Sequence, residues 1–123
     1  MNILINDHRK IYAIQEAFNN TFPYLKLEFL SKPHTSSGAA SHKLVKHNSK
    51  TLGECRTIHN KGKISISPSM SVADLEQKFS DVYGLTIQVY RKSGTSWLET
   101  SLTDGWSLEE QNSQGEILSK MVS

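Results

Sequence analysis

Two stretches of this chain, "NILINDHRKIYAIQEAF" (Asn2–Phe18) and "KISISPSMSVADLEQKF" (Lys63–Phe79), carry one apolar rhythm at an offset of 61 residues. Ile3 matches Ile64, Ile5 matches Ile66, Ile11 matches Val72, Ile14 matches Leu75, and Phe18 matches Phe79. Within each copy the period changes from two to three-or-four, the signature of a strand that hands over to a helix. A chain that starts twice in this way must bury two similar amphipathic helices, and that restricts the folds open to it.

The likeness continues past the helices. Each helix should stop at an aromatic and a breaker, Phe22-Pro23 in the first copy and Tyr83-Gly84 in the second. Ser71 with Asp74 predicts a cap for the second helix, and Asn6 or Asp7 is the corresponding candidate in the first. "YLKLEFL" and "LTIQVYR" then read as strands at an offset of 60, with Leu25, Leu27 and Phe29 matching Leu85, Ile87 and Val89. A closing strand is expected in "TLGECRTI" and in "SWLETSL". One strand–helix–strand–strand unit of about 60 residues is marginal alone. Two units that share one antiparallel sheet, with both helices on one face, make a sound α+β core. The expected organisation is a single domain over 1–123, with repeat one at 1–61, repeat two at 62–102 and a C-terminal helix at 107–120.

The copies differ in two places, and differences are where function is sought. The last two strands of repeat two are joined by the short turn "KSGTS", whereas repeat one carries the insertion 32–50, "KPHTSSGAASHKLVKHNSK". A connection this long is functional or disordered in a compact domain. It holds Lys32, Lys43, Lys46 and Lys50 with His34, His42 and His47, and no acidic residue. With Arg56 these lysines are candidates for an anion or nucleic-acid contact. The histidine spacings fit no compact ligand pair, so no metal site is expected. The second difference is the tail "TDGWSLEEQNSQGEILSKMV". Ser107 with Glu110 predicts a helix from Leu108, although its polar middle contains Gly115, which costs about 1 kcal/mol relative to Ala. Trp97 and Trp106 flank this region and are candidates for a ligand or partner groove, or for pins that hold the tail helix on the sheet.

Catalytic patterns are sparse. Cys55 in "GECRTIH" lies beside Arg56, which would favour a thiolate, but on a strand those neighbours point to opposite faces, and His59 would sit about 13 Å along. A buried structural cysteine fits better. Glu54 and Glu99 occupy roughly matching places in the repeats and could pair for acid–base work, though surface ion pairing is the commoner role. There is no glycine-rich phosphate loop, no GxSxG elbow and no HExxH helix, so no cofactor is expected.

Charge adds one point. Residues 1–61 hold nine Lys/Arg against four Asp/Glu, or +5, and residues 62–123 hold five against eight, or −3; together these give the net +2. The split permits a basic face or weak head-to-tail self-association of an otherwise monomeric chain. No apolar run reaches the roughly 20 residues of a membrane span, the N-terminus lacks the pattern of a signal peptide, and Cys55 is the only cysteine. A cytoplasmic protein without a membrane partner is expected.

The phrases "FPYLKLEF", "SKTLGECRTIHN", "SVADLEQKF", "GLTIQVYRKSG", "WLET" and "TDGWSLEEQN" resemble a family of small conserved hypothetical bacterial proteins, over nearly the whole chain. That resemblance implies a bacterial cytoplasmic protein and transfers no functional residues. In topology the doubled unit is similar to the effector-binding domains of gyrase-inhibitor-like and SOUL-type proteins, which implies a groove between the repeats for amphipathic ligands. The sequence therefore points to a non-enzymatic binding or protein-interaction module for a small molecule or a partner protein, with Trp97 and Trp106 as candidate contacts. Nucleic-acid or anion binding through the basic loop is the alternative.

Overall fold

The computed structural model describes residues 1–30, 44–45 and 48–121 of the chain. The elements run β1 (Asn2–Ile5), α1 (Ile11–Thr21), β2 (Leu25–Leu30), β3 (Gly62–Ser65), α2 (Val72–Tyr83), β4 (Thr86–Ser93), β5 (Ser96–Glu99) and α3 (Leu108–Met121). The fold is α+β, as the alternation of periods predicts. Its strands form two antiparallel sheets, β1–β3 and β2–β4–β5. Among the described residues no helix is long and apolar enough to cross a membrane.

The register pairs residues that the sequence offsets equate. In the two-stranded sheet Ile3 lies opposite Ile64, the residue that the offset of 61 equates with it. In the larger sheet Glu28 lies opposite Gln88, its equivalent at an offset of 60. Each pair of matching strands thus crosses at matching residues. The odd-numbered side chains Leu25, Leu27, Phe29, Leu85, Ile87 and Val89 turn to one face and are buried. There they meet the stripes Ile11, Ile14 and Phe18 of α1 and Val72, Leu75 and Phe79 of α2, and Ile3, Ile5, Ile64 and Ile66 join the same core. Phe29 and Phe79 meet edge-to-face at 6.2 Å across the sheet–helix layer, a favoured aromatic geometry.

Helix ends are satisfied in unequal ways. At α2 the expected Ser71 cap is present, its hydroxyl accepting from the Asp74 amide at 3.1 Å. Gly84 closes that helix at φ 62°, a left-handed conformation that suits glycine. The α2 and α3 starts also cap each other. The amides of Val72 and Ala73 donate to the carbonyls of Trp106 and Asp104, while those of Leu108 and Glu109 donate to Met70 and Pro68. Neither Asn6 nor Asp7 caps α1, contrary to expectation. That helix begins at Ile11, and the amides of Ile11 and Tyr12 donate to the carbonyls of Lys50 and Asn48. The return of the insertion is therefore built onto the positive end of the first helix.

The expected closing strand "TLGECRTI" is not a strand. Residues Leu52–Cys55 form a 3₁₀ turn, with the Thr51 amide donating to the Glu54 carboxylate at 3.4 Å. Its backbone bonds go to the loop before α1, Leu52 to the Arg9 carbonyl and Gly53 to that of Asp7. With these partners taken, the segment has no ladder to offer β2. The hairpin of repeat two forms as predicted, turning at Gly94 with φ 64°, as the first central position of a type II′ turn requires.

The outward carbonyls of β2 are occupied. Asn19 and Gln15 of α1 donate side-chain amides to the carbonyls of Leu25 and Leu27 at 2.9 and 3.0 Å, and the Val45 amide donates to Phe29 at 2.8 Å. At the other end of the sheet α3 crosses the odd-numbered face. Gln111 is fully buried there, accepting from Arg91 at 3.0 Å and donating to Thr103, and the Tyr24 amide donates to Asn112. Gly115, out of place by propensity, touches Tyr24: a Cβ there would lie 2.8 Å from the Tyr24 Cβ and 3.1 Å from its carbonyl oxygen. Gly115→Ala gains about 1 kcal/mol in helix propensity but overpacks backbone, which costs about 1–3 kcal/mol. Urea unfolding should show a net loss; a variant more stable than the parent would mean that α3 does not rest on Tyr24.

Candidate functional site

The even-numbered side chains of the large sheet turn away from the helices. Lys26 lies opposite Tyr90 and Glu28 opposite Gln88; Tyr90 also faces Glu99, and Lys92 faces Trp97. Strand alternation places all of these on one open face. Residues that read as the solvent side of two strands thereby become neighbours.

At its centre the Lys26 ammonium lies 5.4 Å from the Tyr90 ring centroid and 5.1 Å from that of Trp97. Both distances are within cation–π range. The same nitrogen is 3.5 Å from the Glu28 carboxylate, whose other oxygen accepts from Gln15 at 3.2 Å. Burial, then Glu99 and Glu28, push the Tyr90 phenol above its ordinary pKa, because each disfavours a phenolate.

Beside this cluster runs an open groove of about 290 Å³. Tyr12, Gln15, Glu16 and Asn19 form one wall; their spacing of three, four and seven residues puts them on one helical face. Lys26, Leu27 and Glu28 form the floor, Asn48 one end, and Trp97 the far side. Trp97 comes from the second half of the chain and the other lining residues from the first. The groove can therefore stack a flat or cationic group against an indole, and it offers carboxylate, amide and ammonium groups around it.

The expected site residues separate. Trp97 is half-buried and borders the groove. Trp106 lies against the opposite face of the sheet, where the Arg91 guanidinium stacks over its ring at 5.5 Å, and its carbonyl caps α2. Trp106 is 36% exposed, and it does not line the groove that Trp97 borders. Lys50 is exposed at the start of α1. Lys32, Lys43 and Lys46 lie outside the described residues. Arg56 is corrected from a surface cation to a core one: it is 5% exposed. Its guanidinium donates to Asp7 at 2.9 and 3.2 Å and to the Tyr83 carbonyl at 3.1 Å. The 3₁₀ turn directs it inward, where Asp7 neutralises it and the end of α2 accepts from it.

Other titratable groups have defined surroundings. The Asp7 carboxyl is held below its ordinary pKa mainly by a hydrogen bond with His59, whose Nδ1 is 2.8 Å away, with Arg56 adding to the effect and burial opposing it. Burial pushes the half-buried Cys55 thiol up, the reverse of nucleophile activation. Glu54 is occupied by Thr51, and Glu99 stands beside Tyr90. Glu76 of α2 is half-buried, and burial, then the Asp104 carboxylate, push its carboxyl up to about 7. Among the described residues no three metal-binding side chains come together. Lys26, Tyr90 and the α1 wall were not legible as site residues. The sole sequence signal was a tyrosine and two charges on strand positions opposite the core.

Compared with known proteins, the chain matches no family model, no curated protein and no solved structure.

Two stability measurements check this description. Arg56→Ala removes the partner of Asp7 and the donor to Tyr83, and should cost about 3 kcal/mol in urea unfolding; a loss near zero would mean that the guanidinium is solvated. Glu76 has a folded pKa raised above the unfolded 4.5, so it binds its proton more tightly in the native state. Its contribution to stability is full below the unfolded pKa and is lost as pH rises through about 7. Glu76→Gln should therefore leave Tm unchanged at low pH and raise it by roughly 3 °C at alkaline pH. An equal shift at both ends would contradict the placement of that carboxyl.

Proposed function

We propose that the chain is a non-enzymatic binding module that holds a small molecule in the groove between α1 and the open face of the large sheet. One observation carries this reading. An indole from the second half of the chain stands over a polar floor and helical wall supplied by the first half. Concave sites that join aromatic surface to a few convergent polar groups are the usual form of ligand pockets. The pairing of Ile3 with Ile64 and of Glu28 with Gln88 supports reading the halves as two copies of one unit, with the groove as a product of their union. The nucleic-acid alternative keeps Lys50 on the surface but loses Arg56 to the core.

The groove has an intrinsic reporter in Trp97. In a Trp106→Phe background, a panel of small amphipathic compounds should contain ligands that change its emission saturably. Trp97→Ala, with binding followed by calorimetry, should weaken those ligands at least about tenfold, or ~1.4 kcal/mol. Binding that survives Trp97→Ala unchanged would place the ligand elsewhere.

A further inference from the structure

We propose that the groove's ligand is a small organic cation, and that Lys26 occupies the ligand's place in the free protein. This inference rests on the binding reading above and gives it a ligand class. A lysine on a sheet surface ordinarily extends its ammonium into water, since the flexible stem permits it and hydration favours it. Lys26, its side chain 35% exposed, bends back over the Tyr90 and Trp97 rings with its charge on Glu28. Two aromatic faces and a carboxylate around an ammonium are the elements of a cation cage.

The charges around it favour the same class. Glu99 faces Tyr90 on the open face, and Glu16 stands on the groove wall. Lys92, opposite Trp97, is a further cation on that face. With Lys26 swung into solvent, the groove and cage present Glu16, Glu28 and Glu99 against Lys92. A quaternary ammonium is also a better occupant than Lys26. It has no N–H bonds to water to give up and sheds its weak hydration cheaply, so it gains more from the aromatic faces. The displaced lysine recovers full hydration outside. Lys26 thus lowers the apparent affinity by the fraction of time it fills the cage.

Calorimetry on the full chain and on Lys26→Met tests this with three probes: choline, its neutral isostere with carbon in place of nitrogen, and benzoate. Choline should bind the parent protein, the isostere at least about tenfold more weakly, and Lys26→Met should bind choline about tenfold more tightly. Methionine keeps a stem of similar shape against the rings, and unchanged thermal unfolding will confirm that the fold is intact. Benzoate or the isostere binding as well as choline, or weaker choline binding by Lys26→Met, would overturn the cation assignment. If either compound is then lost with Trp97→Ala, the groove reading stands without it. Binding of none of the three to either protein overturns the cation assignment, and the compound panel then decides the groove separately.

Discussion

The register between β2 and β4 is the constraint on which the rest of this structure depends. Six residue pairs, from Leu25–Arg91 to Leu30–Thr86, fix which side chains face the helices and which face away. A slip of one residue would exchange the two sets, placing Lys26 and Glu28 where Leu27 and Phe29 now pack. The core forbids this, because Phe29 must meet Phe79 and Leu27 must lie under α1. Burial on one face thereby positions a polar and aromatic cluster on the other, with no packing requirement of its own. Apart from Leu27, which belongs to both, the groove is made of residues that the core leaves over.

How much of this was readable in advance depended on the distance over which each decision is made. The capped start of α2, its glycine stop and the β4–β5 turn at Gly94 are local, and the residues responsible lie within a few positions of one another. The turn at Leu52–Cys55 is not local. Leu52, Cys55 and Arg56 mimic a strand until the carbonyls of Asp7 and Arg9, more than forty residues earlier, claim the amides of Leu52 and Gly53. The Thr51–Glu54 bond was the available hint, since that spacing favours a turn. Arg56 illustrates the same limit: the sequence shows a cation, and only the fold shows the carboxylate that removes it from the surface.

The site was legible by half. Trp97 stood out as a large aromatic residue in a short hairpin. Its partners Lys26 and Tyr90 are separated from each other by more than sixty positions and from α1 by a change of element, so only strand pairing unites them. Trp106 drew the same inference from the same chemistry but lies apart from the groove, with Arg91 against its ring and the Val72 amide of α2 on its carbonyl. Gly115 reversed the sense of its own signal: the residue least suited to a helix marks where that helix lies closest to the sheet.

Asn19, Gln15 and Val45 give the large sheet a direction. Their hydrogen bonds occupy the outward carbonyls of β2, so addition of a further strand on that side would have to break them. Strand addition is then confined to the short edge of β5. Two copies joined along that edge would present only blocked edges to a third. Edge-to-edge growth of this sheet therefore ends at a pair. Two copies paired in this way would leave this sheet no free edge from which to extend.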